Sequence, residues 1–157
     1  MPKTSPPKPR VFVDADVLFA GAASADEHSA SLLILRLSEI TLIEAVASQQ
    51  VITEVERNLE AKLPAALPAF RLLASRCLQV LPDPRREELA AHQGRADPKD
   101  LPILTAALQA GCSWLVTFNV RHFQPGHPDL VVLAPGEFIL RRRYLLAEWT
   151  LSEGGKE

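Results

Sequence analysis

Short apolar blocks alternate along the chain with longer stretches in which apolar residues recur every three to four positions. This pattern predicts strand, helix, strand, helix. The first block, Val11, Phe12 and Val13, runs straight into Asp14 and Asp16 before the chain turns apolar again. A small-residue loop is expected over 21–25, then a helix over 31–40 with Leu32, Leu33, Leu35 and Leu37 on its apolar side. Ser24 or Ser29 would cap that helix. A second strand is expected over 42–47, followed by an amphipathic helix from 51 to about 62, where Val51, Ile52, Val55 and Leu59 recur at helical spacing. Glu54 borders that apolar face, whereas Glu56 and Glu60 fall on a more exposed one. A short helix at 68–76 leads to a third strand at 77–81, stopped by Pro82 and Pro84. A polar helix follows over 85–92, and Asp100 opens another that ends at Gly111. The remaining segments are strands at 113–117 and 130–133 and a last helix at 135–149 carrying Arg141, Arg142 and Arg143. Continuous apolar strands alternating with helices imply an α/β fold, a central parallel β-sheet flanked by helices.

Composition narrows the class. A chain of 157 residues is one domain by length, here residues 10–150, with a flexible leader at 1–9 and a loose tail at 151–157. A hydrophobic content of 47% with 23% charged residues is that of an ordinary globular protein. The net charge of −2 excludes avid, nonspecific nucleic-acid binding, so any such contact must rest on local basic residues. No stretch is apolar enough for a membrane span and no signal peptide opens the chain, which leads us to expect a cytoplasmic protein. Cys77 and Cys112 stand in apolar surroundings and read as reduced core residues.

Candidate chemistry lies at element ends. A short apolar strand ending in an acid delivers a carboxylate to the edge of a sheet, and α/β sheets place their sites beyond the carboxyl ends of strands. Asp14 could equally cap the next helix. Two acids within three residues repel and raise each other's pKa unless a cation intervenes. Asp14 and Asp16 end the first strand, Glu54 lies on the helix after the second, Asp100 opens a later helix and Asn119 follows a strand. Hard oxygen donors without His or Cys suit Mg2+ or Mn2+, one or two ions, rather than zinc.

Four stretches in order, V-F-V-D-A-D-V-L, V-I-T-E-V-E-R-N-L, D-P-K-D-L-P-I-L-T-A-A-L and W-L-V-T-F-N-V-R-H-F, resemble the PIN-domain ribonucleases. The resemblance spans 11–140. It implies a three-layer PIN-like fold and metal-dependent hydrolysis of RNA phosphodiester bonds. It also implies that Asp14, Glu54, Asp100 and Asn119 form the catalytic and metal-binding set. Asp16 stands where many members carry Asn or Ser, so it is an extra ligand or an orienting residue. Asn119 replaces the charged alternative, which weakens the case for a tightly held second ion. Asp97 would bind through a water or cap the turn before Pro98. Thr117 would hold a carboxylate or simply finish its strand. Arg121 and His122 would contact RNA phosphates or serve as surface charge. Many small members are VapC-like toxins, which implies a cognate antitoxin. The last helix carries Phe138, Leu145 and Trp149, whose spacing leaves a broad apolar face suited to a homodimer.

The D-A-D after the first strand also fits a haloacid-dehalogenase-type phosphatase with Asp14 as nucleophile. That chemistry needs a lysine and a further acidic pair downstream of Thr117, where the only later acid in a loop is Asp129. A third reading is a catalytically inactive PIN-like binding module.

Overall fold

The computed structural model describes residues 8–24 and 29–142. Five strands, β1 (Arg10–Val13), β2 (Glu44–Ser48), β3 (Leu78–Leu81), β4 (Trp114–Val116) and β5 (Val131–Leu133), form one sheet in the order β3-β2-β1-β4-β5. Every pairing is parallel. Val11 is paired with Ala45 on one side and Trp114 on the other, so β1 is the central strand. Its three apolar residues, Val11, Phe12 and Val13, are fully buried, which explains why they are branched or aromatic with no polar alternation.

Parallel strands need crossovers, and helices supply them. These are α1 (Ala15–Ala23), α2 (Ala30–Glu39), α3 (Gln49–Lys62), α4 (Leu67–Cys77) and α5 (Leu101–Gln109). The chain is helical again over 135–142, which we label α6. The expected fold class is therefore the observed one, a parallel sheet between helical layers. From β1 the chain moves outward through β2 and β3, then returns to the other side of β1 as β4. The order reverses at the β1–β4 boundary, and a crevice opens at the carboxyl ends of strands at such a point.

Two local expectations need correction. The segment expected to be a loop from residue 21 is, through Ala23, the second half of α1. This helix buries Ala15, Val17, Leu18 and Gly21 while Phe19 and Ala22 also pack on the core. A helix that is apolar around most of its surface lacks the amphipathic contrast by which helices are read. Gly21 is a packing residue, because a Cβ there would lie 2.8 Å from Leu35 Cδ1. The polar helix expected over 85–92 is a 3-10 helix, Arg86–His92, that buries none of its residues. Nearby, His92 at its end meets His127 edge to face, with ring centroids 5.7 Å apart.

Phe138 does not contribute to an exposed apolar face. It is fully buried and packs edge to face on Trp114, with centroids 5.7 Å apart. Leu145, Trp149 and Arg143 lie outside the described residues, as do most of the leader and all of the tail. Cys77 and Cys112 are buried free thiols, as expected. No described helix is long and apolar enough to cross a membrane.

Candidate active site

The site begins where β1 stops. The Asp14 backbone N–H donates to Val116 O at 3.0 Å, which continues the β1–β4 ladder by one rung. The next residue is helical, so Asp14 is the N-cap of α1 and its Oδ1 accepts the Ala15 N–H at 2.8 Å. The capping role and the site role coincide on one carboxylate. Asp16 lies in the first turn of the same helix, where the positive end of the helix dipole favours an anion.

The end of β4 meets these acids from the side. The buried Thr117 hydroxyl donates to Asp14 Oδ2 at 2.9 Å and stands 3.4 Å from Asp16 Oδ2. Thr117 thus holds a carboxylate, one of the two roles its position allowed. Its oxygen also accepts the Asn119 N–H at 3.1 Å. Asp16 Oδ2 accepts the Phe118 N–H at 3.0 Å and lies 3.2 Å from the Asn119 amide nitrogen. The Asn119 side chain is therefore engaged as a donor to Asp16.

A second group forms at the start of α5. Because α5 runs back against the strand direction before β4, its first turn lies at the same carboxyl edge. The Asp97 carbonyl accepts the N–H groups of Asp100 and Leu101, each at 2.9 Å, which fixes the helix entry. Asp97, Asp100 and His122 each offer one ligand atom, all within 4.8 Å of one another. His122 Nδ1 stands 3.2 Å from Asp100 Oδ2, an ion-pair distance without hydrogen-bonding alignment. The two groups are joined through the 3-10 turn Val120–Phe123, where the His122 N–H donates to Asn119 O at 3.0 Å. No sequence signal marks His122 as a neighbour of Asp100, since 22 residues and a whole strand separate them. Arg121 is exposed beside this turn. Glu54 sits exposed on α3, and its charge acts on Asp14 without a direct hydrogen bond.

The electrostatics follow from this crowding. Burial, then the charge of Asp16, pushes the Asp14 carboxyl up to about 6, against the hydrogen bonds from Thr117 and Ala15; Glu54 adds a smaller push. Burial likewise raises Asp16, and the hydrogen bond from the Phe118 N–H opposes it. Among the described residues, Asp16 Oδ1 and Asp100 Oδ2 are buried without a hydrogen-bond partner. Desolvated carboxylate oxygens without donors are costly unless a cation or proton compensates them. Oxygen donors dominate the set, with one imidazole at its margin, so these residues fit a hard divalent cation.

Comparison with known proteins agrees with this architecture. The PIN domain family model matches residues 10–121. Among solved structures, PAE2754 from Pyrobaculum aerophilum superposes with a TM-score of 0.60 at 22% identity, covering 85% of this chain and 95% of that one. A chain of VapBC2 from Rickettsia felis, solved bound to a DNA fragment from its promoter, gives a TM-score of 0.57 at 16% identity. It covers 78% of this chain and 96% of that one. No relative is found among curated proteins. Those two likenesses establish the fold, and the family model, matching well over half of the sequence, establishes that this chain belongs to the PIN domain family.

Proposed function

We propose that this PIN domain is a divalent-metal-dependent endoribonuclease and the toxin of a toxin–antitoxin pair. The observation that carries the reading is the excess of desolvated negative charge at the switch point. Asp14 and Asp16 crowd one hydroxyl, and buried oxygens of Asp16 and Asp100 lack donors. Such a site is completed by cations, and PIN domains are typically nucleases.

Asp14, Glu54, Asp100 and Asn119 are the residues we assign to hold Mg2+ or Mn2+, with Asp16 and Asp97 within the same acidic patch. When bound, the ion acidifies the attacking water and offsets charge on the scissile phosphate. The protein's own contribution is positioning. Thr117 fixes the Asp14 carboxylate from one side and the Ala15 N–H from the other. Asn119 orients Asp16 by donating through its amide nitrogen, which leaves its carbonyl oxygen as the atom for the ion. Arg121 and His122, at the rim, are placed to meet backbone phosphates. The VapBC2 structure supports an antitoxin partner by analogy of fold. We further assign a homodimer and a cytoplasmic location.

The phosphatase reading loses ground. Asp129, the single acid where that chemistry needs a pair, is exposed, and its backbone N–H donates to His127 Nδ1 at 3.0 Å. Incubation of the purified protein with labelled RNA in Mg2+, Mn2+ or EDTA tests the proposal. Internal cleavage should require the metal and be lost in Asp14→Asn. Release of phosphate from a small phosphomonoester, with RNA left intact, would sink the ribonuclease reading. Inactivity on both substrates would leave a binding module.

A further inference from the structure

Phe118 stands out because of where it is exposed. Large apolar side chains exposed elsewhere among the described residues are aliphatic; Phe118, 54% exposed, is the one aromatic among them. Its neighbour Thr117 is fully buried, so at the end of β4 one side chain turns into the acids and the next turns out beside them. The backbone beneath the ring is held at every point. The Phe118 N–H donates to Asp16 Oδ2 at 3.0 Å, the Asn119 N–H to Thr117 Oγ1 at 3.1 Å and the His122 N–H to Asn119 O at 3.0 Å. A flat apolar side chain is thus carried on a held backbone at the rim of an acidic centre, so little backbone entropy is left to lose on contact. Exposed Arg121 follows on the same turn and makes no ion pair among the described residues.

Exposing a phenyl ring to water is unfavourable, and nothing in the local packing requires an aromatic there. A nucleic acid offers both partners this rim lacks, a π-face for the ring and a phosphate for the guanidinium. Bases within a duplex are already stacked, so only an unpaired base can lie on such a ring. We propose that Phe118 is a base-stacking platform that seats one unpaired nucleobase next to the scissile phosphate. This rests on the ribonuclease reading and adds a specificity residue to it. The stack is tolerant of base identity, since every base presents a π-face.

The experiment measures binding and cleavage separately. A short single-stranded ribonucleotide carrying 2-aminopurine is titrated into Asp14→Asn protein, with Phe118 intact or replaced by Ala, Leu or Trp. Stacking predicts quenched fluorescence with Phe118 and with Trp. Phe118→Ala and Phe118→Leu should both lose the quench and weaken binding on the order of 5- to 100-fold, the range of one lost stack. Leucine is the sharper control, because it keeps apolar bulk and removes only the π-face. Equal affinity and equal quench in Phe118→Leu would overturn the proposal, and so would a failure of the Asp14→Asn protein with Phe118 intact to bind the oligonucleotide. Metal-dependent cleavage by otherwise wild-type Phe118→Ala with unchanged KM would leave the ribonuclease standing and the platform refuted, with the ring reassigned to a protein contact. Phe118-dependent binding without cleavage by the wild-type chain would do the reverse.

Discussion

Asp14 illustrates how one residue can serve the fold and work against it. Its Oδ1 caps α1 and its Oδ2 takes the Thr117 hydroxyl, yet the same burial pushes its carboxyl up to about 6. The sign of the linkage follows directly. A folded-state pKa above the unfolded value of 3.8 means the folded protein binds a proton more tightly than the unfolded chain. The contribution of Asp14 to metal-free stability is therefore greatest below pH ~4 and declines as pH rises toward and through about 6. The loss is on the order of 2–3 kcal/mol for a shift of this size. We predict that Asp14→Asn unfolds at higher urea than wild type at pH 7.5 in EDTA, with the difference shrinking toward pH 4. The amide keeps an oxygen to accept a hydrogen bond but carries no charge. Denaturation curves at the two pH values check this, and a variant weaker than wild type at pH 7.5 would show that the cap outweighs the repulsion.

At the scale of elements, the legible parts were those with contrast. Helix α3 alternates buried Val51, Val55 and Leu59 with charged positions, and β1 ends its apolar run on an acid. Both could be read because polarity changes at their boundaries. Helix α1 could not, since neither its core-facing residues nor many of the others are polar. The 3-10 turn Val120–Phe123 was equally silent, because its role depends on bringing His122 back to Asp100 across 22 residues. Gly21 carries a consequence of the α1–α2 contact. A Cβ there meets Leu35 Cδ1 at 2.8 Å and the Ser31 backbone at 3.4 Å, so the buried Leu35 must shift to admit it, and a larger side chain must also displace its neighbours. Replacing glycine inside a helix usually helps by up to ~1 kcal/mol, but overpacking a core costs about 1–3 kcal/mol. We predict that Gly21→Val, which gains little helix propensity, loses roughly 2 kcal/mol of stability, read as a lower urea midpoint. A midpoint equal to wild type would mean that Leu35 rotates away at no cost.

For the molecule as a whole, the parallel sheet between helices was readable because it follows from the alternation of apolar strands with helices. Which acids approach one another was not. That depends on β4 docking against β1, a pairing between Val13 and Val116 that no local pattern announces. The assembled site should also be a stability device. An ion that binds only the folded chain stabilises it by about 2.7 kcal/mol at a hundredfold excess over Kd. For a chain of this length, that corresponds to a Tm rise of roughly 5–10 °C. We predict such a rise on adding Mn2+ or Mg2+ at pH 7.5, reversed by EDTA and much reduced in Asp100→Asn. A full rise in Asp100→Asn would remove that residue from the ligand set.

The parallel pairing of β1 with β4 also bears on when during synthesis the acidic site comes together. Arg10 to Val13 is synthesised early, but its neighbour Trp114 to Val116 follows about a hundred residues later. At ribosomal speeds of about 5–20 residues per second, that delay is on the order of 5–20 seconds. Thr117 and Asn119 emerge later still, so until then Asp14 and Asp16 lack the donors that β4 and the turn after it supply. A site wired in this way stays unassembled while that part of the chain is unmade, and it is completed in a single docking event.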